Sequence, residues 1–109
     1  MKSILKGMPV KTFDLHAAST GLGTAFALPS TAVALQWQTF FDSAPGAISI
    51  ELQFSLDNVN WDAVDVSSAV AGEIRTFACT GAKFVRGNIA SITAGGATQV
   101  SMIILCQQQ

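Results

Sequence analysis

Charge is what this sequence has least of. Only 12% of its residues are Asp, Glu, Lys or Arg, about half the share of an ordinary soluble domain. Six basic residues stand against seven acidic ones, for a net charge of −1. With no basic patch to neutralise phosphates, nucleic acid is a poor partner. A basic amphipathic segment that could lie on a membrane is missing as well. Histidine occurs once, as His16, and cysteine twice, as Cys79 and Cys106. A hydrolase triad needs a nucleophile, a base and an orienting group, and zinc needs several Cys or His ligands; neither set can be assembled here. There is no GxSxG elbow. Tyrosine is absent, which weighs against a glycan- or antibody-like recognition surface. Long apolar runs are also lacking. Leu15–Phe41 and Gly87–Gln109 carry no charged residue, but both are broken every few positions by Ser, Thr, Gln, Gly or Asn, whereas a membrane-spanning helix needs about 20 mostly apolar residues. The N-terminal lysines precede no apolar segment of the secretory kind, so folding in a cytoplasm is expected. Together these features point away from an enzyme and from any cofactor or metal.

What is present is an uncharged polar surface and a large apolar fraction. Hydrophobic residues make up 50% of 109 residues, the size of one domain. A surface of Ser, Thr, Gln, Asn, Ala and Gly stays soluble poorly unless part of it is covered, so a partner is expected, most simply other copies of the chain. The dominant periodicity is two. Ile48, Ile50, Leu52 and Phe54 alternate with Ser49, Glu51, Gln53 and Ser55, the pattern of a strand with one buried and one wet face. Val33, Leu35, Trp37, Thr39 and Phe41 likewise share a face. Phe13 and Leu15 alternate with Thr12 and Asp14, and further strands are expected over Thr24–Leu28, Trp61–Val66, Glu73–Cys79, Phe84–Ile92 and Thr98–Cys106. Gly, Pro, Asn and Asp clusters separate them, and Gly95-Gly96 reads as a hairpin turn. Seven or eight short strands at this spacing predict an all-β fold, a single antiparallel β-sandwich of jelly-roll or immunoglobulin-like type. Residues 1–8 read as an N-terminal arm, 9–106 as the sandwich domain and 107–109 as a tail.

Few residues offer chemistry. Asp57, Asp62 and Asp65 form an acidic group, but their spacing fails the calcium-loop pattern, and turn or strand-edge carboxylates explain them. Gly21-Leu22-Gly23 lacks the third glycine and the helix of a dinucleotide loop. Trp37 falls on the apolar face of its strand. Trp61 follows a polar turn directly and reads as a core anchor, with a ligand platform as the alternative. Cys79 and Cys106 each end a strand and read as partly buried reduced thiols, with a disulfide as the lesser alternative where no export signal is seen. In the arm, Ile4, Leu5 and Met8 are apolar without periodicity, and are expected to make contacts with neighbouring copies.

The segment Phe54-Ser55-Leu56-Asp57-Asn58-Val59-Asn60-Trp61 resembles a hairpin of small bacteriophage virion β-sandwich proteins of the head decoration (cement) or tail accessory type. Phe84-Val85-Arg86-Gly87-Asn88-Ile89-Ala90-Ser91, followed by Gly95-Gly96 and an alternating last strand, resembles their closing hairpin. The likeness covers about residues 46–106. It implies a virion structural protein folded in the host cytoplasm, with Trp61 as a structural anchor of the hairpin and Arg86 as a structural charge on its strand. The expected partner is the phage major capsid protein, bound as a homo-oligomer in which a trimer is favoured. The alternative it implies is a carbohydrate-binding or host-recognition module of a phage tail or fibre.

Overall fold

A computed structural model describes residues 2–3, 8–79 and 81–108. Its strands are β1 (Lys2–Ser3), β2 (Val10–Ala17), β3 (Gly21–Leu22), β4 (Phe26–Ala27), β5 (Ala32–Phe41), β6 (Ala47–Ser55), β7 (Asp62–Ser67), β8 (Glu73–Ala78), β9 (Phe84–Thr93) and β10 (Gln99–Gln108). Two sheets result. Sheet I runs β1-β4-β9-β6-β7, with β3 also paired to β9, and sheet II runs β2-β10-β5-β8. Every pairing is antiparallel except that of β1 on β4. β3 and β4 both lie on the side of β9 away from β6, so they act as two pieces of one interrupted strand. Eight strand positions in the orders 2-10-5-8 and 3/4-9-6-7 are those of a jelly roll. This selects the jelly roll from the two sandwich types the sequence allows.

The alternating strands put their apolar faces between the sheets. Ile48, Ile50 and Leu52 of β6 are buried, and Phe54 packs partly buried against them. They meet Leu35 and Trp37 of β5, Val85 and Ile89 of β9, and Val100, Met102 and Ile104 of β10. Burying a side chain of this size is worth about 1.5–3 kcal/mol, so the central strands carry most of the hydrophobic stabilisation.

The sheets come closest where β2 crosses β9. Thr12 is buried, and its hydroxyl donates to the Thr24 carbonyl (3.0 Å) and accepts from the Gly87 amide (2.9 Å). Only glycine fits at Gly87: a Cβ there would run into Met102, the Phe13 ring and the Thr12 methyl.

Three expectations are corrected here. β2 does not alternate: Thr12 and Phe13 are both buried, and Leu15, at φ 52°, is exposed. The cause is an irregular register against β10 between Val100 and Ile103; Leu15 is held by its amide, which donates to Ser101 Oγ at 3.1 Å. The Gly95-Gly96 segment is not a hairpin. β9 pairs with β3, β4 and β6 while β10 pairs with β2 and β5, so this turn carries the chain from one sheet to the other. The tail expected at 107–109 is strand as far as Gln108. Of the arm, Lys2–Ser3 pairs with Phe26–Ala27 and Met8 is exposed; Ile4 and Leu5 lie outside the described residues.

Candidate functional site

The flank where the edge strands β7 and β8 face each other is closed by a charged staple. The Arg75 guanidinium donates through Nε and Nη2 to both Asp65 oxygens (3.0 and 2.9 Å) and through Nη1 to Glu73 (2.7 Å). Trp37, 1% exposed in the core, donates its indole N–H to Asp65 at 3.2 Å. Burial pushes the Asp65 carboxyl up, but the hydrogen bonds from Arg75, the Val66 amide and Trp37 outweigh it and hold it below the usual carboxylate range. Charges turned inward along paired edges also discourage another strand from adding there.

At one end of this flank a cleft of about 470 Å³ opens between the β6–β7 hairpin and the turn after β8. Phe54 and Phe77, packed edge to face at 5.7 Å, line it with Val64, Ala82 and Cys79. Its rim holds Asp57, but that carboxylate is committed to the turn. It accepts from the Val59 and Asn60 amides (2.9 and 2.8 Å), from Asn60 Nδ2 (2.7 Å) and from Ser55 Oγ (3.0 Å), which hold its pKa well below the ordinary value. Asn58 takes φ 63° here, as the turn requires. Asp57, Asp62 and Asp65 therefore do not converge, and among the described residues no group of three or more potential ligands could hold a metal ion. His16 lies on β2 with its ring edge against Phe13 at 5.2 Å.

The outer faces of the two sheets differ. On sheet II, Ile74 is 64% exposed beside Ile103, Leu105, Gln36, Gln38 and Pro9, which line a shallow groove of about 260 Å³ containing no charged residue. On sheet I, register puts polar side chains in rows. Asn88 stands opposite Glu51, and Arg86 opposite Gln53. Glu51 Oε1 accepts from Gln53 Nε2 (3.0 Å) and Asn88 Nδ2 (2.9 Å), while Arg86 Nε donates to Gln53 Oε1 (2.7 Å).

Trp61 is not part of the core. It is half-buried on this outer face, with the Arg86 guanidinium 4.2 Å from its ring centroid. The two anchors that the resemblance implies are thus brought together, by stacking rather than by core packing. No sequence signal joins residues 25 positions apart; only the sheet register does so.

Cys79 and Cys106 are buried and free. β5 runs between their strands, Cys106 facing Leu35 and the Cys79 amide bonding Val33. Two strand spacings put their backbones about 10 Å apart, beyond disulfide reach. Burial pushes the Cys79 thiol up to about 11 and raises Cys106 too.

Neither protein-family models nor curated proteins give a match to this chain. Solved structures do. The SPBc2 prophage-derived protein YomS is similar over 94% of this chain and 98% of its own, with 18% identity and a TM-score of 0.62. The Bacillus endospore appendages, described as a family of disulfide-linked pili, are similar over 99% of this chain and 90% of theirs, with 18% identity and a TM-score of 0.53. At this identity the likeness is one of fold: an all-β jelly roll spanning nearly the whole chain.

Proposed function

We propose that this chain is a structural protein of a bacteriophage particle, and specifically a capsid decoration protein that binds the major capsid protein lattice as a homo-oligomer, with a trimer favoured. Its action is binding and not catalysis. The observation that carries the reading is the outer face of sheet II, where Ile74, Ile103 and Leu105 stand among uncharged glutamines with nothing over them among the described residues. Covering such a face releases its water and contributes free energy in proportion to the apolar area covered. Repetition over a lattice turns a modest contact into firm attachment. Pro9 borders the same groove, so the arm that precedes it enters beside the contact face; contact with a neighbour requires Lys2–Ser3 either to keep their place on β4 of their own chain or to exchange it for the equivalent strand of the neighbour. The fold-level kinship supports this setting: one similar structure is prophage-derived, and the other belongs to appendages that assemble as pili. Disulfide linkage has no part in the reading, because both cysteines are buried.

Light scattering on the full-length protein, on a chain starting at Pro9 and on Ile74→Lys, together with binding to capsids lacking the protein, tests the reading. The expected result is an oligomer that adds to capsids, weakened by both changes. A monomer that ignores capsids would overturn it, and undiminished binding by the shortened chain would remove the arm from the mechanism.

A further inference from the structure

The opposite face of the sandwich has a chemistry that assembly through sheet II leaves unused. Of the two arginines, Arg75 is saturated by Asp65 and Glu73, whereas no ion pair among the described residues involves Arg86. Arg86 is nevertheless held in place. Trp61 supports its plane at 4.2 Å and Gln53 takes its Nε proton. Among the described residues neither terminal nitrogen has a protein acceptor. A flat, fixed, unpaired guanidinium fork matches a carboxylate, which it can bind through two parallel hydrogen bonds.

The neighbours specify the rest of the ligand. Glu51 shares Oε1 between Gln53 and Asn88, and its second oxygen has no partner among the described residues. That oxygen can accept a hydroxyl proton, and Asn88 Oδ1 can do the same. Glu51 also discriminates by charge: one row from Arg86 and joined to it through Gln53, it opposes a dianion such as a phosphate monoester more than a singly charged group. Within each row the two residues stand on adjacent strands, about 4.8 Å apart, and the Arg86 row lies two residues, about 6.6 Å, along the strands from the Asn88 row, a separation that the carboxylate and hydroxyls of a short oligosaccharide can bridge. Leu22, opposite Asn88, and Val66, opposite Glu51, give the upper row exposed apolar ends against which ring C–H faces can rest.

We propose that the outer face of sheet I is a binding site for carboxylated (uronic-acid) oligosaccharides, with Arg86 taking the carboxylate, Glu51 and Asn88 the hydroxyls, and Trp61 acting as the positioning residue that holds the guanidinium flat. The site supplies what the missing tyrosines do not. It is independent of the contact made by sheet II.

Calorimetric titration with a galacturonate tetrasaccharide, and with its uncharged methyl ester, tests the proposal. The acid is expected to bind and the ester to bind at least about tenfold more weakly, the weight of a charge-assisted contact. Arg86→Gln should abolish the preference. Glu51→Gln, which keeps the hydrogen-bonding shape and removes the negative charge, should tighten binding of the acid several-fold. Trp61→Phe should retain most of the affinity and Trp61→Leu should lose it, with both variants folded by their thermal melts. Equal affinity for acid and ester, or an unchanged Arg86→Gln, would overturn the assignment, as would failure of the folded protein to bind the acid at all.

Discussion

Trp37 and Asp65 sit in different sheets, and the indole N–H of one donates to the carboxylate of the other at 3.2 Å. The contact couples the most buried large aromatic to the only carboxylate that also receives two bonds from Arg75. Removing Asp65 leaves a buried N–H unpartnered and frees the Arg75 fork. Asp65→Ala is therefore expected to cost about 1–3 kcal/mol, the range for orphaning a buried donor, measured by urea unfolding. Asp65→Asn, which can still accept from Trp37, should cost less. Equal stability of Asp65→Ala and the parent chain would show that the staple is decorative.

Acid should weaken the fold. Asp42 caps the start of β10, taking hydrogen bonds from the Thr98 hydroxyl and from the amides of Thr98 and Gln99, and its pKa is lowered from 3.8 to about 2. Asp57 and Asp65 are lowered as well. A carboxyl more acidic in the folded than in the unfolded chain contributes stability above the unfolded value and loses it as pH falls through the folded one. The urea midpoint is thus expected to hold steady from neutral pH down to about pH 5 and to fall steadily between about pH 4 and pH 2. A midpoint unchanged over that lower range would contradict all three assignments.

Gly87→Ala tests the close approach of β2 to β9. The added methyl has no room between Met102, Phe13 and Thr12, and overpacking of this kind typically costs about 1–3 kcal/mol. Thr12→Val keeps the shape but drops the hydroxyl that holds the Gly87 amide, and should cost a similar amount. If Gly87→Ala melts with the parent chain, the junction is looser than its geometry implies.

The thiols should be silent until the chain unfolds. With Cys79 and Cys106 buried and the Cys79 pKa near 11, little reactive thiolate exists at neutral pH. A thiol reagent is expected to label the native protein slowly, and both cysteines at once in denaturant without reductant. Loss of both thiols in the unfolded protein would reveal a disulfide.

The parts of this fold that a reader of the sequence can see are those in which local pattern and tertiary position agree. Ile48 to Phe54 alternate because β6 is buried on one face only, and Leu35, Trp37 and Thr39 do the same on β5. β2 defeats that reading because a register irregularity and the positive φ of Leu15 break the period. Gly95-Gly96 misleads for another reason. A hairpin and a crossing between sheets need the same glycine freedom, and only the register of β9 and β10 against other strands separates them. The face built by Trp61 and Arg86 was half legible: both residues stand out singly, but their stacking depends on how β7, β6 and β9 line up side by side. Their role as partners could not be read before that alignment was known.

The jelly-roll order also sets how the chain must reach its native state. Among consecutive full-length strands only β6 and β7 pair with each other; β5, β8, β9 and β10 must each find a partner distant in sequence. Long-range pairing is slow because each closure costs chain entropy before any contact offsets it. The one local closure is the turn that Ser55 and Asp57 hold with their own hydrogen bonds, which makes this hairpin the natural seed around which the sheets condense. Loss of the Asp57 carboxylate should then be felt mainly as slower refolding, with the unfolding rate little changed. The same side chain that rims the cleft in the finished molecule would be the timekeeper of its formation.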